Sequence, residues 1–379
     1  MRVLRIGIVG SYLWQAPVLE WQPQEMVYFT VRDFLRQHGL SRDSFDIVIG
    51  AASDMFDGRG ISNAIVADAL GANLKPESKV DEDGLAAAFY ACLRLMAGEA
   101  QSALVVAYAK TSEPDIYWLE NSVFDPFYLR PLGLDFATLA GLSAQAYLEA
   151  HGAAPECLAR LVGKNYAAAA ANPRVGAVTP VDEAAACAAA PVVGPLKQYD
   201  LARYGDGVCV MLLATEERAV RLNPRSAWIL GFGAAQDAYY PGLRDLARSE
   251  AARRAARQAY AMAKIDDPRR IQVAEVTGAA AHEELLLAEA LGLCPEGRAW
   301  EYVEKGYFGT DGHPALNPSG GCLPLYVPLV AGLSRLAEAA LQVTGQAGPV
   351  QVPGVRLAVA HGSYGPCLQT NFVFVVGGE

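Results

Sequence analysis

The sequence predicts an α/β protein built from two similar halves, and three observations carry that expectation. Short apolar runs alternate with stretches of helical period along most of the chain. The alternation starts afresh near Ser226. Both halves close on a similar apolar strand, residues 207–214 in the first and 371–376 in the second.

In chain order, residues 3–9 read as a strand stopped by Gly10, residues 24–37 as an amphipathic helix, and residues 45–50 as a buried strand. Residues 84–97 read as an apolar helix closed by Gly98, followed by a strand over 104–109. This order predicts parallel strands covered by helices on both faces. From Tyr117 to Phe136 the chain turns aromatic and is punctuated by Pro and Gly, which predicts an excursion from the sheet around residues 112–150. Such an excursion covers a site or packs at a subunit interface. Helical character returns over 139–151 and around 155–171. The second half offers strands at 227–230 and 271–276, helices at 244–263, 282–291 and 329–343, and closing strands at 355–360 and 371–376. The halves are therefore residues 1–222 and 223–379.

Composition narrows the function. With 379 residues, 52% hydrophobic, the chain has ample core material, but no apolar run approaches the ~20 residues of a membrane span. No membrane partner is expected, nor a signal peptide at the opening residues. A net charge of −10 argues against nucleic acid. A CoA ester needs only a local basic patch, so it stays open. Seven scattered cysteines (Cys92, Cys157, Cys187, Cys209, Cys294, Cys322 and Cys367) and five histidines show no metal-ligand spacing, so no metal site and a reduced, cytoplasmic protein are expected.

Several motifs stand in a fixed order. Lys164-Asn165-Tyr166 runs through alanines to Asn172-Pro173. Pro195-Leu196 is followed by Asp206-Gly207 and an apolar strand ending in Thr215-Glu216-Glu217. A helix and turn run from Ala288-Glu289-Ala290 to Cys294-Pro295-Glu296-Gly297, and Asn317-Pro318-Ser319-Gly320-Gly321 forms a glycine turn. Together they resemble the thiolase superfamily, particularly its sterol-carrier-protein-x-like branch. The resemblance implies a thiolase-like five-layer αβαβα fold of two similar halves, assembled as dimers or tetramers. It also implies a pantetheine tunnel ending between the halves, with CoA or acyl-CoA as ligand and no permanently bound cofactor. Asn317, Ser319, Gly320 and Gly321 would form the pocket's glycine turn.

The family's catalytic groups are missing at the matching positions. Thiolysis needs a thiolate at a helix N-terminus, where dipole and N–H groups lower its pKa. If Gly84 is the motif glycine, Asp81 stands at the nucleophile, Glu82 next to it and Asp83 at the family's serine. Counting from Gly320-Gly321 places Val327 at one catalytic histidine, and Thr277 falls at the other. Asp81 and Asp83 also read as helix caps, worth ~0.5–2 kcal/mol. Replacement candidates are Asp81 or Glu82 as base and Tyr326, His361 or Tyr364 as acid, the last two in a segment read as a C-terminal loop from His361 to Cys367. A His361–Cys367 pairing within that loop stands against simple loop packing.

Two main functions follow from the resemblance, with CoA-ester binding alone, for regulation, as a third. The first is a non-catalytic subunit paired with a homologous catalytic thiolase-like subunit, and with a zinc-ribbon/OB-fold companion. The second is an active acyltransferase or aldol-type CoA lyase working with non-standard residues.

Overall fold

The computed structural model describes residues 5–378. The first strand, β1 (Ile6–Ala16), runs well past Gly10; of the predicted strand 3–9, residues 3 and 4 lie outside the described residues. There follow α1 (Pro23–Gln37), β2 (Ile47–Ala51), β3 (Glu77–Val80), α2 (Gly84–Met96), β4 (Ser102–Ala109), α3 (Phe136–His151), α4 (Glu156–Ala171) and β5 (Asp206–Thr215). The second half holds β6 (Ala227–Gln236), α5 (Glu250–Ala263), β7 (Val273–Glu275), α6 (Ala281–Ala290), β8 (Ala315–Leu316), α7 (Ala331–Val343), β9 (Leu357–Tyr364) and β10 (Thr370–Gly377). Helix α5 begins six residues later than its apolar pattern suggests. Ser249 caps it there by accepting the Ala252 N–H, and Arg244 belongs to the preceding loop.

The halves repeat one topology. The first orders its strands β3-β2-β4-β5-β1 and the second β8-β7-β9-β10-β6, so each strand has its counterpart five places on. The sheet is mixed rather than parallel. β2 pairs in parallel with β3 and β4, whereas β5 runs antiparallel to β4 and β1, and the second half does the same. Parallel neighbours need a helical crossover, but β9 and β10 are joined by residues 365–369 alone, which permits only an antiparallel turn. β1 and β6 pair over Ile6↔Ile229, Gly7↔Trp228 and Ile8↔Ala227, joining the two halves.

Side-chain alternation builds the five layers. Along β5, Cys209, Met211 and Leu213 face a central core, while Val208, Val210 and Leu212 face an outer one. On β10, Phe372, Phe374 and Val376 enter the same central core, and Val373 and Val375 face the outer core of the second half. The central core contains both α2 and α7, which form the shared middle layer. Burial on both faces is why these strands read as unbroken apolar runs.

The excursion is larger than the sequence suggests. It occupies residues 110–205, between β4 and β5, where the second half has only its short hairpin. Its helices α3 and α4 bury Tyr147, Leu148, Leu158, Leu161 and Tyr166 in the outer core of the second half, against α6. One carboxylate ties its two ends. Asp206, wholly buried at the start of β5, accepts the Ser112 N–H (2.9 Å), the Ser112 hydroxyl (2.6 Å) and the Leu19 N–H (2.9 Å), and lies 3.2 Å from the Lys110 ammonium. Asp206→Asn is expected to destabilise the chain by about 1–3 kcal/mol, read from urea unfolding, because one acceptor oxygen becomes a donor facing buried donors.

Candidate active site

The N-termini of the two middle-layer helices converge, and Asp83 sits between them. Its Oδ1 caps α2 by accepting the Leu85 N–H at 2.8 Å, and its Oδ2 accepts the Gly332 N–H of α7 at 2.8 Å. Gly84 is required here. A Cβ would lie 2.7 Å from Ala107 Cβ and 2.8 Å from Leu333 Cβ, so α2 could not approach so closely with a side chain. Burial raises the Asp83 carboxyl to about 7, and the two N–H groups only partly offset it. The capping role thus belongs to Asp83 and not to Asp81.

The predicted acids separate. Asp81 is exposed at the surface, and Glu82 is half-buried, its pKa raised first by burial and then by Asp81. Tyr364, at the end of β9, faces the same pair; burial and then the two carboxylates push its hydroxyl to about 12. Val327 is buried in the central core among helix and strand side chains, so it presents nothing to a substrate.

Tyr326 has the richest surroundings. Its N–H donates to the Arg203 carbonyl at 2.7 Å and its carbonyl accepts from Gly205 N–H at 2.9 Å, forming a bridge that brings Tyr204 alongside. The two rings meet edge-on at 5.7 Å. The Tyr204 hydroxyl in turn donates to Glu120 Oε1, carried by the short helix Ile116–Ser122 of the excursion. Burial raises Glu120 to about 7. Glu283, at the start of α6, accepts the Ala279 and Ala280 N–H groups (2.8 and 3.3 Å) and is likewise raised to about 7 by burial. Tyr326 itself is driven well above the ordinary phenol value by burial, then by Cys322, Asp83, Glu283 and Glu120. Sequence reasoning missed Glu120, Tyr204, Glu283 and Cys322. No local signal singles them out, since Glu120 is one of three acids in the aromatic stretch, with Asp125 and Asp135.

The segment read as a C-terminal loop is partly strand, since His361 to Tyr364 belong to β9. His361 is completely buried and touches no open space. Its Nε2 meets Asn371 Oδ1 at 2.9 Å and its Nδ1 meets Thr277 Oγ1 at 3.2 Å, which is 3.1 Å from Ser363 Oγ. Burial lowers the imidazole to about 4, leaving it neutral. It does not pair with Cys367, whose thiol points to the Leu139 carbonyl at 3.5 Å.

The glycine turn is committed to protein partners. Asn317 Oδ1 accepts the Val276 N–H at 2.7 Å, and the Ser319 hydroxyl donates to Glu275 Oε2 at 2.6 Å beside Arg335. Gly320 packs on Ala169 of α4, and both Gly320 and Gly321 have positive φ. Side chains of Asn317 and Ser319 are wholly buried, so they hold the turn's shape and leave only backbone to meet a ligand. Lys164 and Asn165 belong to the same buried network: the Lys164 ammonium donates to the Leu316 carbonyl at 2.6 Å and the Asn165 amide to Glu284 Oε1 at 2.5 Å. Among the described residues, no three His, Cys, Asp or Glu side chains surround a position that would hold a metal ion. Two small clefts lie apart from the Tyr326 cluster. One is bounded by Gln24, Asp57, Arg59 and Tyr108, the other by Ser143, Arg244, Arg248 and Cys367.

Comparison with known proteins accords with this architecture. The sequence profile described as "Thiolase C-terminal domain-like" matches residues 234–378. The acetyl-CoA acetyltransferase of Methanothermobacter thermautotrophicus is 29% identical over 231 residues, 60% of each chain. Human sterol carrier protein 2 is 42% identical over 108 residues, 28% of this chain and 20% of that one. The chain therefore aligns with less than two thirds of the length of these relatives. A solved structure titled "Ltp2-ChsH2(DUF35) aldolase" superposes with a TM-score of 0.83 at 21% identity, covering 99% of this chain and 98% of that one, which is a likeness of fold. With its duplicated five-layer architecture and these matches, the chain is similar to the thiolase superfamily, and most so to its sterol-carrier-protein-2-like side.

Proposed function

We propose that this chain is a carbon–carbon lyase of the aldol type, acting on a β-hydroxyacyl thioester of CoA. The observation that carries the reading is the Glu120–Tyr204–Tyr326 cluster beside the N-termini of the middle-layer helices. Three buried carboxyls with raised pKa (Asp83, Glu120 and Glu283) disfavour the charged form, so their convergence points to chemistry more than to stability. This favours the active reading over the non-catalytic subunit.

In such a cleavage the β-hydroxyl loses its proton as the Cα–Cβ bond breaks. The bonding pair moves into the thioester as an enolate, which then takes a proton at Cα. The Tyr204 oxygen accepts the hydroxyl proton while its own passes to the Glu120 carboxylate. A carboxylate near 7 suits a base working at neutral pH. Tyr326, kept protonated by burial, donates a hydrogen bond to the developing enolate oxygen and then supplies the proton. The proton held on Glu120 returns through Tyr204 to Tyr326, which closes the cycle with no co-reactant.

The family supports a CoA thioester as substrate. A neighbour named as a complex supports work alongside a second polypeptide, either a thiolase-like subunit or a zinc-ribbon/OB-fold protein. The exposed Tyr117, Trp118, Phe127 and Tyr128 of the excursion offer an aromatic surface for it. Seven free cysteines suit a reducing cytoplasm, and among the described residues no helix is long and apolar enough to cross a membrane.

The test supplies a 3-hydroxyacyl-CoA to the purified chain and to the complex isolated with it. Release of a free aldehyde or ketone and a shortened acyl-CoA without added CoA is the expected result. Cleavage of a 3-ketoacyl-CoA that depends on added CoA would instead indicate thiolysis, and no turnover in either preparation would restore the non-catalytic reading. Because Glu120 must be ionised to accept a proton, kcat/KM should rise with pH through about 7 and then level off. Glu120→Gln should lower the plateau and flatten that rise.

A further inference from the structure

We infer that Ser363 is an acyl-acceptor serine, activated through Thr277 by the buried His361. The direction of the hydrogen bonds carries the inference. The Asn371 amide nitrogen donates to the Leu368 carbonyl at 2.7 Å, so its oxygen is the atom turned to His361. His361 Nε2 must therefore carry the ring proton, and Nδ1 presents a lone pair. Thr277 has one hydroxyl proton, and the Nδ1 lone pair at 3.2 Å needs a donor, so the threonine gives its proton there rather than to Ser363 Oγ. The remaining contact, 3.1 Å between Thr277 Oγ1 and Ser363 Oγ, is then a bond that Ser363 donates. Its proton points inward along the relay and its lone pairs point outward.

Accessibility runs the same way. His361 is fully buried and Thr277 is 2% exposed, whereas Ser363 is only half-buried. The last member alone reaches solvent. Register keeps it there, because Ser363 pairs with Asn371 across β9 and β10, which fixes both ends of the relay to one rigid hairpin. Next to Thr277, the Gly278 N–H meets the Cys322 sulfur, which interacts with Asp83 and Tyr326, so the relay is linked through Thr277 to the site already described.

The step forms a bond from Ser363 Oγ to the carbonyl carbon of an ester or thioester and breaks that carbon's bond to the leaving oxygen or sulfur. The serine proton moves to Thr277 as the threonine proton moves to His361 Nδ1, and the relay returns a proton to the leaving group. Water then attacks the acyl-serine and releases a carboxylic acid. Ser363 is the catalytic residue of this reaction; Thr277, His361 and Asn371 position it. The assignment rests on the proposed function only in taking thioesters as natural substrates.

The experiment uses p-nitrophenyl acetate, which needs no CoA recognition, so its outcome is independent of the lyase assay. A burst of nitrophenolate is expected, with an acetyl group found by mass spectrometry on the peptide carrying Ser363. Ser363→Ala should abolish both. Thr277→Val should slow acylation about 10²-fold, and Thr277→Ser, which restores the hydroxyl, should recover most of the rate. An adduct on another residue, no adduct at all, or a burst unchanged in Ser363→Ala would overturn the assignment. Equal loss in both Thr277 variants would show that the threonine is needed only for packing and would overturn the relay.

Discussion

Tyr326→Phe is expected to lower kcat for carbon–carbon cleavage by ~10²–10⁴-fold, the range for an acid–base group, with thermal stability nearly unchanged. The expectation separates chemistry from scaffold because the residue is held by its backbone. Both Arg203–Gly205 hydrogen bonds survive the substitution, and the ring keeps its edge-on contact with Tyr204. Only the hydroxyl goes, while the ring and backbone contacts stay. The loss should fall on kcat more than on KM, since the bond to the enolate oxygen strengthens only as charge develops. Tyr364→Phe is the natural control. That hydroxyl is influenced by Asp81 and Glu82 rather than by Glu120. Steady-state kinetics of the two variants, with melting curves alongside, decide the matter. Equal effects from both, or none from either, would remove Tyr326 from the mechanism.

Arg335→Ala should destabilise the fold by about 3–5 kcal/mol, because it strips one partner from a buried ion pair. Arg335 is 2% exposed and Glu275 wholly buried, with Nη1 2.9 Å from Glu275 Oε2. Nη1 also reaches the Ser319 hydroxyl at 2.5 Å, and Ser319 N–H lies 3.1 Å from Glu275 Oε1. The pair therefore locks the glycine turn to α7 and β7. Burial raises the Glu275 carboxyl and Arg335 pulls it back down, so losing the arginine leaves a costly buried charge. Replacing both members, Glu275→Gln with Arg335→Met, should recover part of the loss because no unpaired charge remains. Urea unfolding of the single and double variants measures this, and a double variant weaker than Arg335→Ala would contradict it.

Much of the scaffold was legible from local pattern. β5 and β10 announce themselves because burial on both faces makes them continuous apolar runs. The start of α2 was readable from acids followed by Gly84, and its end from Gly98, whose φ of 76° suits glycine. The glycine turn stands where the motif placed it, with Gly320 and Gly321 both at positive φ. Ser319 and Asn317 have polar side chains of the kind that meet ligands, yet tertiary packing turns them toward Glu275 and Val276. The strand directions were misjudged because alternation reports burial and says nothing of which way a neighbour runs.

The sequence by itself determined the class of fold, its duplication and the family resemblance. Each rests on hydrophobic period and on short motifs whose residues are chain neighbours. Only the tertiary structure brought the candidate groups together. Glu120 meets Tyr204 across 84 positions and Thr277 meets His361 across 84 more. Asp83 joins Gly332 across 249. Periodicity records which side of an element is buried, but not which element lies opposite. A carboxylate's pKa, a hydroxyl's direction and a histidine's tautomer are all set by that opposite element.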